Sequence, residues 1–289
     1  MSLEGDYTSR NFIDNPLAVK RRLSSLLVYT LLTLGALAML FPFAWMVLTS
    51  LKSFQELFDL RWLPQRPTLE NYREVLFSTQ FPRWFFNSLV VAGVTTVSVL
   101  FFDSLVGYTL AKLRFPGKNL IFVLILATLM VPTEMLIIPW YVMSVDYGWV
   151  NTFWGILFPG LISAFGVFLM RQFFASLPTD LLDAGRIDGL SEFGVFWRVA
   201  LPLVRPALAA LGIFTFLGNW NAFLWPLVII QTPEMRTLPV GVALFSGEAG
   251  TAWHLIMAAS SLAVIPVLIV FFIFQRQIIE GVVLTGVKG

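Results

Sequence analysis

Six long apolar runs dominate the pattern of hydrophobic and polar positions, at residues 26–48, 85–111, 120–143, 152–170, 207–230 and 255–274. Their hydrophobicity is continuous rather than periodic, and each is about the 20 residues that a helix needs to cross a bilayer. The first, fourth and sixth hold no charged residue, while the second carries Asp103 and the third Glu134. The pattern predicts an all-α, polytopic membrane protein with six transmembrane helices. Its parts are a polar tail (1–22), a first helix (23–49), a long outer loop (50–84), a five-helix core (85–279) and a short tail (280–289). Pro64, Pro67 and Pro82 argue against a long helix in the outer loop, and Phe115-Pro116-Gly117 reads as a tight turn. Prolines also lie inside the runs, at Pro42, Pro132, Pro139, Pro159, Pro226 and Pro266. Each removes a backbone donor and tends to kink its helix; membranes tolerate such kinks, which can also open a cavity or hinge.

One polar block, within residues 171–206 of the core, breaks this pattern. Pro178, Thr179 and Asp180 suit a helix start, because a hydroxyl and an acid complement unsatisfied N-terminal amides. That helix is expected to end near Ile187, with Asp188 and a left-handed Gly189 making the turn. Ser191 then caps a second short helix through Trp197 and Val199, stopping near Pro202. Small residues at Ala184 and Gly185 would let a partner surface approach the elbow closely. A folded, polar helix-turn-helix on one face of a membrane protein points to a soluble partner docking there.

Composition supports the membrane assignment: 57% of residues are hydrophobic, 12% are charged, and the mean hydropathy is +0.80. A soluble domain carries about 25% charged residues. There is no cysteine and one histidine, His254, so neither a disulfide framework nor a His-rich metal centre is expected. The net charge of +2 and the pI near 9.0 reflect orientation rather than nucleic-acid binding. With the N-terminus inside, 13 of the 19 lysines and arginines fall in inner segments, which places both termini in the cytoplasm. The run at 26–48 starts too deep and is too long for a cleaved signal peptide, so it reads as a retained span.

Within the spans, Asp103 and Glu134 are the costly residues: Asp103 is a candidate for a pathway, a subunit interface or a buried hydrogen bond, and Glu134, beside Pro132, for lining a cavity or capping a break in the third span. Asn219, Trp220 and Asn221 combine amides with a flat apolar face, the pairing that suits a sugar, although amides also bond between helices in membrane bundles.

Several stretches together resemble binding-protein-dependent ABC-importer permeases of the carbohydrate uptake group, specifically the shorter, six-span subunit of the maltose-type pair. They are Asn87-Ser88-Leu89, Gly107-Tyr108-Thr109 through Lys118, Asp183 to Pro202, Trp220-Asn221-Ala222 through Leu227, Thr237 to Gly241, and the tail Thr285 to Gly289. Asp183 stands where the family usually has Glu, and Gly185 where it has a second Ala. The resemblance implies a type I importer core in a bacterial or archaeal cytoplasmic (inner) membrane. The expected partners are a second permease subunit, two ATP-binding subunits and an extracytoplasmic solute-binding protein. It assigns the docking loop to Asp183, Ala184, Gly185, Arg186, Asp188 and Gly189, and a tail contact with the ATPases to Thr285, Gly286 and Lys288. No Walker-type glycine loop is present, so ATP and Mg are expected on the partners, with no cofactor on this chain. An ion- or proton-coupled secondary transporter using Asp103 and Glu134 is the alternative, but it leaves the polar block without a role. No Ser/His/Asp or metal-ligand cluster suggests an enzyme.

Overall fold

A computed structural model describes residues 16–286 apart from 60, 248 and 249, and side chains over 24–275 apart from 58, 60 and 247–250. Among these the chain is helical, save for a minimal antiparallel pairing of Ser246–Gly247 with Gly250–Thr251. Helix α1 (Pro16–Ser50) is followed by the outer loop, whose prolines leave only a 3-10 turn at Phe54–Phe58 and the short α2 (Glu70–Phe77). Next, α3 (Phe81–Lys112) begins with Pro82 in its first turn, where a missing N–H is harmless, and runs unbroken.

The next three apolar runs are not the continuous spans that their hydropathy suggests. The third divides into α4 (Lys118–Thr128) and α5 (Ile137–Asp146), bent by 91° across a 3-10 turn at Thr133–Leu136 that follows Pro132. The fourth divides into α6 (Phe153–Leu157), a 3-10 turn containing Pro159, and α7 (Ala164–Ser176), with a bend of 42°. The polar block follows as α8 (Thr179–Ile187), α9 (Glu192–Val195), a π turn at Phe196–Ala200 and α10 (Leu201–Leu203). From there α11 (Arg205–Trp220) departs at 83°, and a short break separates it from α12 (Leu224–Ile229). Last come α13 (Leu238–Ala243) and α14 (Trp253–Gly286). Pro42 in α1 and Pro266 in α14 sit inside helices that stay helical. Three helices are long and apolar enough to cross a membrane alone, and up to six spans result when each bent pair counts as one.

Helix α3 is the central column, with α7 and α11 packed along it. Lipid provides no hydrophobic drive between helices, so close approach and hydrogen bonds must hold them together. Gly107 supplies one such approach: a Cβ there would lie 2.8 Å from the Arg171 amide and from Met170 Cβ on α7. At the end away from the polar block, α3 gathers the loop before α13. Asn87 Nδ2 donates to the Glu234 and Arg236 carbonyls at 2.8 and 2.9 Å, and Ser88 Oγ accepts from the Leu238 amide at 2.7 Å. Gly241 lets the Trp84 ring lie against α13, where a Cβ would come within 2.2 Å of it. Two stretches far apart in sequence, Asn87-Ser88 and Thr237 to Gly241, are thus one structural joint.

Candidate functional site

The polar block folds as its local signals require. α8 begins at Thr179 after Pro178 and ends at Ile187; Gly189 adopts φ +83°, and Ser191 Oγ accepts from the Gly194 amide at 3.2 Å. The second helix stops at Leu203, next to Pro202 as expected, and passes through a π turn at Phe196–Ala200 on the way. At the tip of the elbow, Ile187 is 86% exposed, with Asp188 and Gly189 exposed beside it. Ile187 is barer than other exposed apolar side chains of the block, Leu181, Phe193 and Trp197.

The elbow is clamped from within. Arg186 donates from Nε and Nη2 to the two Glu192 oxygens at 2.7 and 3.1 Å, and from Nη1 to Asp183. These bonds hold the Glu192 carboxyl below the usual carboxylate range and push the Arg186 guanidinium higher still. Bidentate geometry fixes the angle between α8 and the second helix. Gly185 contributes to the same angle and does not face a partner, contrary to the expectation for it. It is buried, and a Cβ there would sit 3.2 Å from Val199 Cγ2. Ala184 and Asp183 do remain on the exposed side.

Below the elbow, the block rests on a buried aromatic core of Tyr108, Phe174 and Phe196, with ring centroids 5.4–6.2 Å apart. Lys112 Nζ donates to the Leu177 carbonyl at 2.6 Å, just past the C-terminus of α7, where a cation also suits the helix dipole.

The intramembrane candidates do not converge on one site. Asp103 is fully buried, its carboxylate receiving the Ser163 amide at 3.1 and 3.2 Å and the Ser163 hydroxyl at 2.7 Å. Glu134 is exposed on the turn between α4 and α5. Asn219 and Asn221 donate to carbonyls of their own helix, Thr215 and Leu217, each at 2.9 Å. Trp220 offers no open face for a sugar. It is 2% exposed, stacked on Phe216, edge-on to Phe85, and bonded through Nε1 to the Ala263 carbonyl at 3.2 Å. Trp220 and Asn221 do border an open pocket of about 250 Å³, lined also by Leu238, Ser260 and Val267. Of the tail residues, Thr285 and Gly286 belong to the backbone of α14, and Lys288 lies outside the described residues.

Sequence reasoning overlooked Ile187, Glu192, Tyr108 and Ser163. For Ser163 a signal exists: Ser163-Ala164-Phe165-Gly166 repeats the pattern of the Ser191-Glu192-Phe193-Gly194 cap.

The family model described as binding-protein-dependent transport system inner membrane component matches residues 103–283. The arabinooligosaccharides transport system permease protein AraQ of Bacillus subtilis (strain 168) is 40% identical over 260 residues, 88% of this chain and 92% of that protein. The lactose transport system permease protein LacG of Rhizobium radiobacter is 32% identical over 263 residues, 91% of this chain and 96% of LacG. Among solved structures, a bacterial ABC transporter involved in the import of the acidic polysaccharide alginate contains a chain with a TM-score of 0.80 and 25% identity. The match covers 92% of this chain and 99% of that one.

Proposed function

The chain belongs to the family of binding-protein-dependent transport system inner membrane components and is the permease subunit of an ABC importer, not its ATPase; from this premise, we propose that it carries a sugar or related polyol inward. The family matches support the cargo class, since AraQ, LacG and the alginate importer are all named for carbohydrates. Its partners are a second permease subunit, two ATP-binding subunits that hold ATP and Mg, and an extracytoplasmic solute-binding protein. Both termini face the cytoplasm of a bacterial or archaeal cell. In this reading the tail from Thr285 through Lys288 contacts the ATPases, and deleting residues 284–289 is expected to reduce ATP-coupled uptake without removing the protein from the membrane.

The observation that carries the reading is the preformed elbow, with its bare Ile187 between a clamped α8 and the Gly189 turn. Such a knob enters a cleft on one ATP-binding subunit, and closure of the ATPase pair displaces the elbow and the helices below it. Ile187→Asp tests this: the permease reaches the membrane, the ATP-binding subunit no longer co-purifies with it, and uptake collapses, while Ile187→Leu behaves as wild type. Normal co-purification of Ile187→Asp would refute the docking assignment. Binding of labelled sugars to the cognate solute-binding protein tests the cargo class.

The secondary-transporter alternative is set aside by the family assignment. It also loses its chemistry, since Asp103 is engaged with Ser163 while Glu134 lies exposed at a separate bend.

A further inference from the structure

The break in the fourth span leaves backbone groups without helical partners, and both loose ends are tied to α3. The Leu161 carbonyl accepts from Ser98 Oγ at 2.7 Å. The Ser163 amide and hydroxyl donate to Asp103, while Ser163 Oγ also accepts from the Gly166 amide at 2.9 Å and so caps α7. Gly166 is part of the device. A Cβ at that position would fall 2.0 Å from Asp103 Oδ2, so only glycine leaves room for the carboxylate. Further along α3, Gly107 brings the backbone of α7 into contact and Lys112 holds the carbonyls at its end. Two residues after α7, the elbow begins.

We propose that Asp103 is a positioning residue for transport: it fastens the start of α7 to α3, so that a displacement of the elbow reaches the break in the fourth span as a rigid movement of both helices. The inference rests on the docking reading above. A helix held to α3 only at its middle and lower end would be free to pivot at its start and leave the membrane-embedded break where it was. With Asp103 in place, α7 is held at its start, middle and end, and the bend at 161–163 becomes the point where the movement is released.

The role asks for a hydrogen-bond acceptor, not for a charge as such. Asp103→Asn keeps one carbonyl oxygen for the Ser163 amide, whereas Asp103→Ala leaves that donor unsatisfied away from water. The experiment uses the full transporter reconstituted with its partner subunits and solute-binding protein, and measures sugar delivered per ATP hydrolysed. Asp103→Ala is expected to lower that ratio by about fivefold or more, the scale of one orphaned buried donor. Asp103→Asn is expected to keep at least half of it, with the ATP-binding subunits bound in both variants. Gly166→Ala, which displaces the carboxylate without removing it, should reproduce the Asp103→Ala defect. The double variant should be no worse than either single, because both strike one contact. Should Asp103→Ala or Gly166→Ala fail to accumulate, the double variant relieves the clash, and Asp103→Asn with Ser163→Ala carry the comparison. An Asn variant as uncoupled as the Ala variant, fully multiplicative defects, or normal coupling in Asp103→Ala would each overturn the inference. A wild-type chain that binds no ATP-binding subunit would instead overturn the docking reading.

Discussion

Two helix starts in this protein are written with the same four-residue pattern and held in place by different means. Ser163-Ala164-Phe165-Gly166 opens α7 inside the membrane, and Ser191-Glu192-Phe193-Gly194 opens the second helix of the elbow outside it. In both, an extended serine accepts a hydrogen bond from the glycine amide three residues on, at 2.9 and 3.2 Å. The surroundings then diverge. Ser191 is supported by residues a few positions away, the partly exposed Arg186–Glu192 pair. Ser163 depends on Asp103, 60 positions earlier, and its neighbour Leu161 on Ser98. Water can complete a cap at the surface, but in the bilayer the chain must complete it with another helix. The same local signal therefore needs a distant partner only where the solvent is lipid.

Removing the same hydroxyl from both starts is the sharpest test of this difference. Ser191→Ala deletes one surface cap, an effect of about 1 kcal/mol. Ser163→Ala leaves the Gly166 amide without its acceptor and takes one donor from Asp103, at about 1–3 kcal/mol for each unmet group. The expected outcome is a clear fall in thermal stability of the purified complex for Ser163→Ala and a small one for Ser191→Ala. Equal falls would mean that the membrane setting adds nothing.

That contrast also explains what the sequence disclosed. The elbow was legible almost residue by residue, because Pro178, Thr179, Gly189 and Ser191 act on their immediate neighbours. The existence of the apolar runs was equally plain. Their interruptions were only partly so: Pro132 and Pro159 mark those at 129–136 and 158–163, but Pro42 and Pro266 sit in helices that stay helical, and the break at 221–223 holds no proline. Asp103 stood out as costly, but its partner could not be named from spacing. Trp220 and Gly185 were misplaced for the same reason: an indole or a glycine declares its chemistry locally, while tertiary packing decides whether it faces a ligand or the core.

Strain at the turn gives a smaller effect. Gly189 has φ +83° with open space around its Cβ position, so Gly189→Val meets no clash and only a conformational penalty of about 1–2 kcal/mol. The variant is expected to reach the membrane with its spans intact, to bind the ATP-binding subunit more weakly and to lose uptake in proportion. Unchanged co-purification and uptake would show that the elbow need not hold its resting angle. The two cap glycines then separate further. An alanine at Gly194 would bring a Cβ no closer than 3.4 Å to Leu190, so Gly194→Ala is expected to change stability by no more than about 1 kcal/mol, towards greater stability through helix propensity. Gly166→Ala, by contrast, meets the Asp103 carboxylate.

The weakest effect expected lies in the clamp itself, and pH isolates it. Hydrogen bonds from Arg186 depress the folded-state pKa of Glu192. A depressed carboxylate contributes stability above its unfolded value, about 4.3, and that contribution is lost as pH falls through the lower folded value. Both side chains are partly exposed, at 32% and 48%, so the pair is worth only about 0.2–1 kcal/mol and salt should weaken it. Hydrogen exchange at the amides of α8 and α9 can localise so small a term. At neutral pH, Glu192→Gln should exchange slightly faster there than wild type, with no change in α3 or α7. As the pH drops below the ordinary carboxylate range, the two proteins should converge, because wild-type Glu192 then carries a proton too. If Glu192→Gln, which keeps the shape and removes only the charge, exchanges like wild type at neutral pH as well, Glu192 holds the elbow by shape rather than by charge, and the surface start is as dependent on fixed packing as the membrane one.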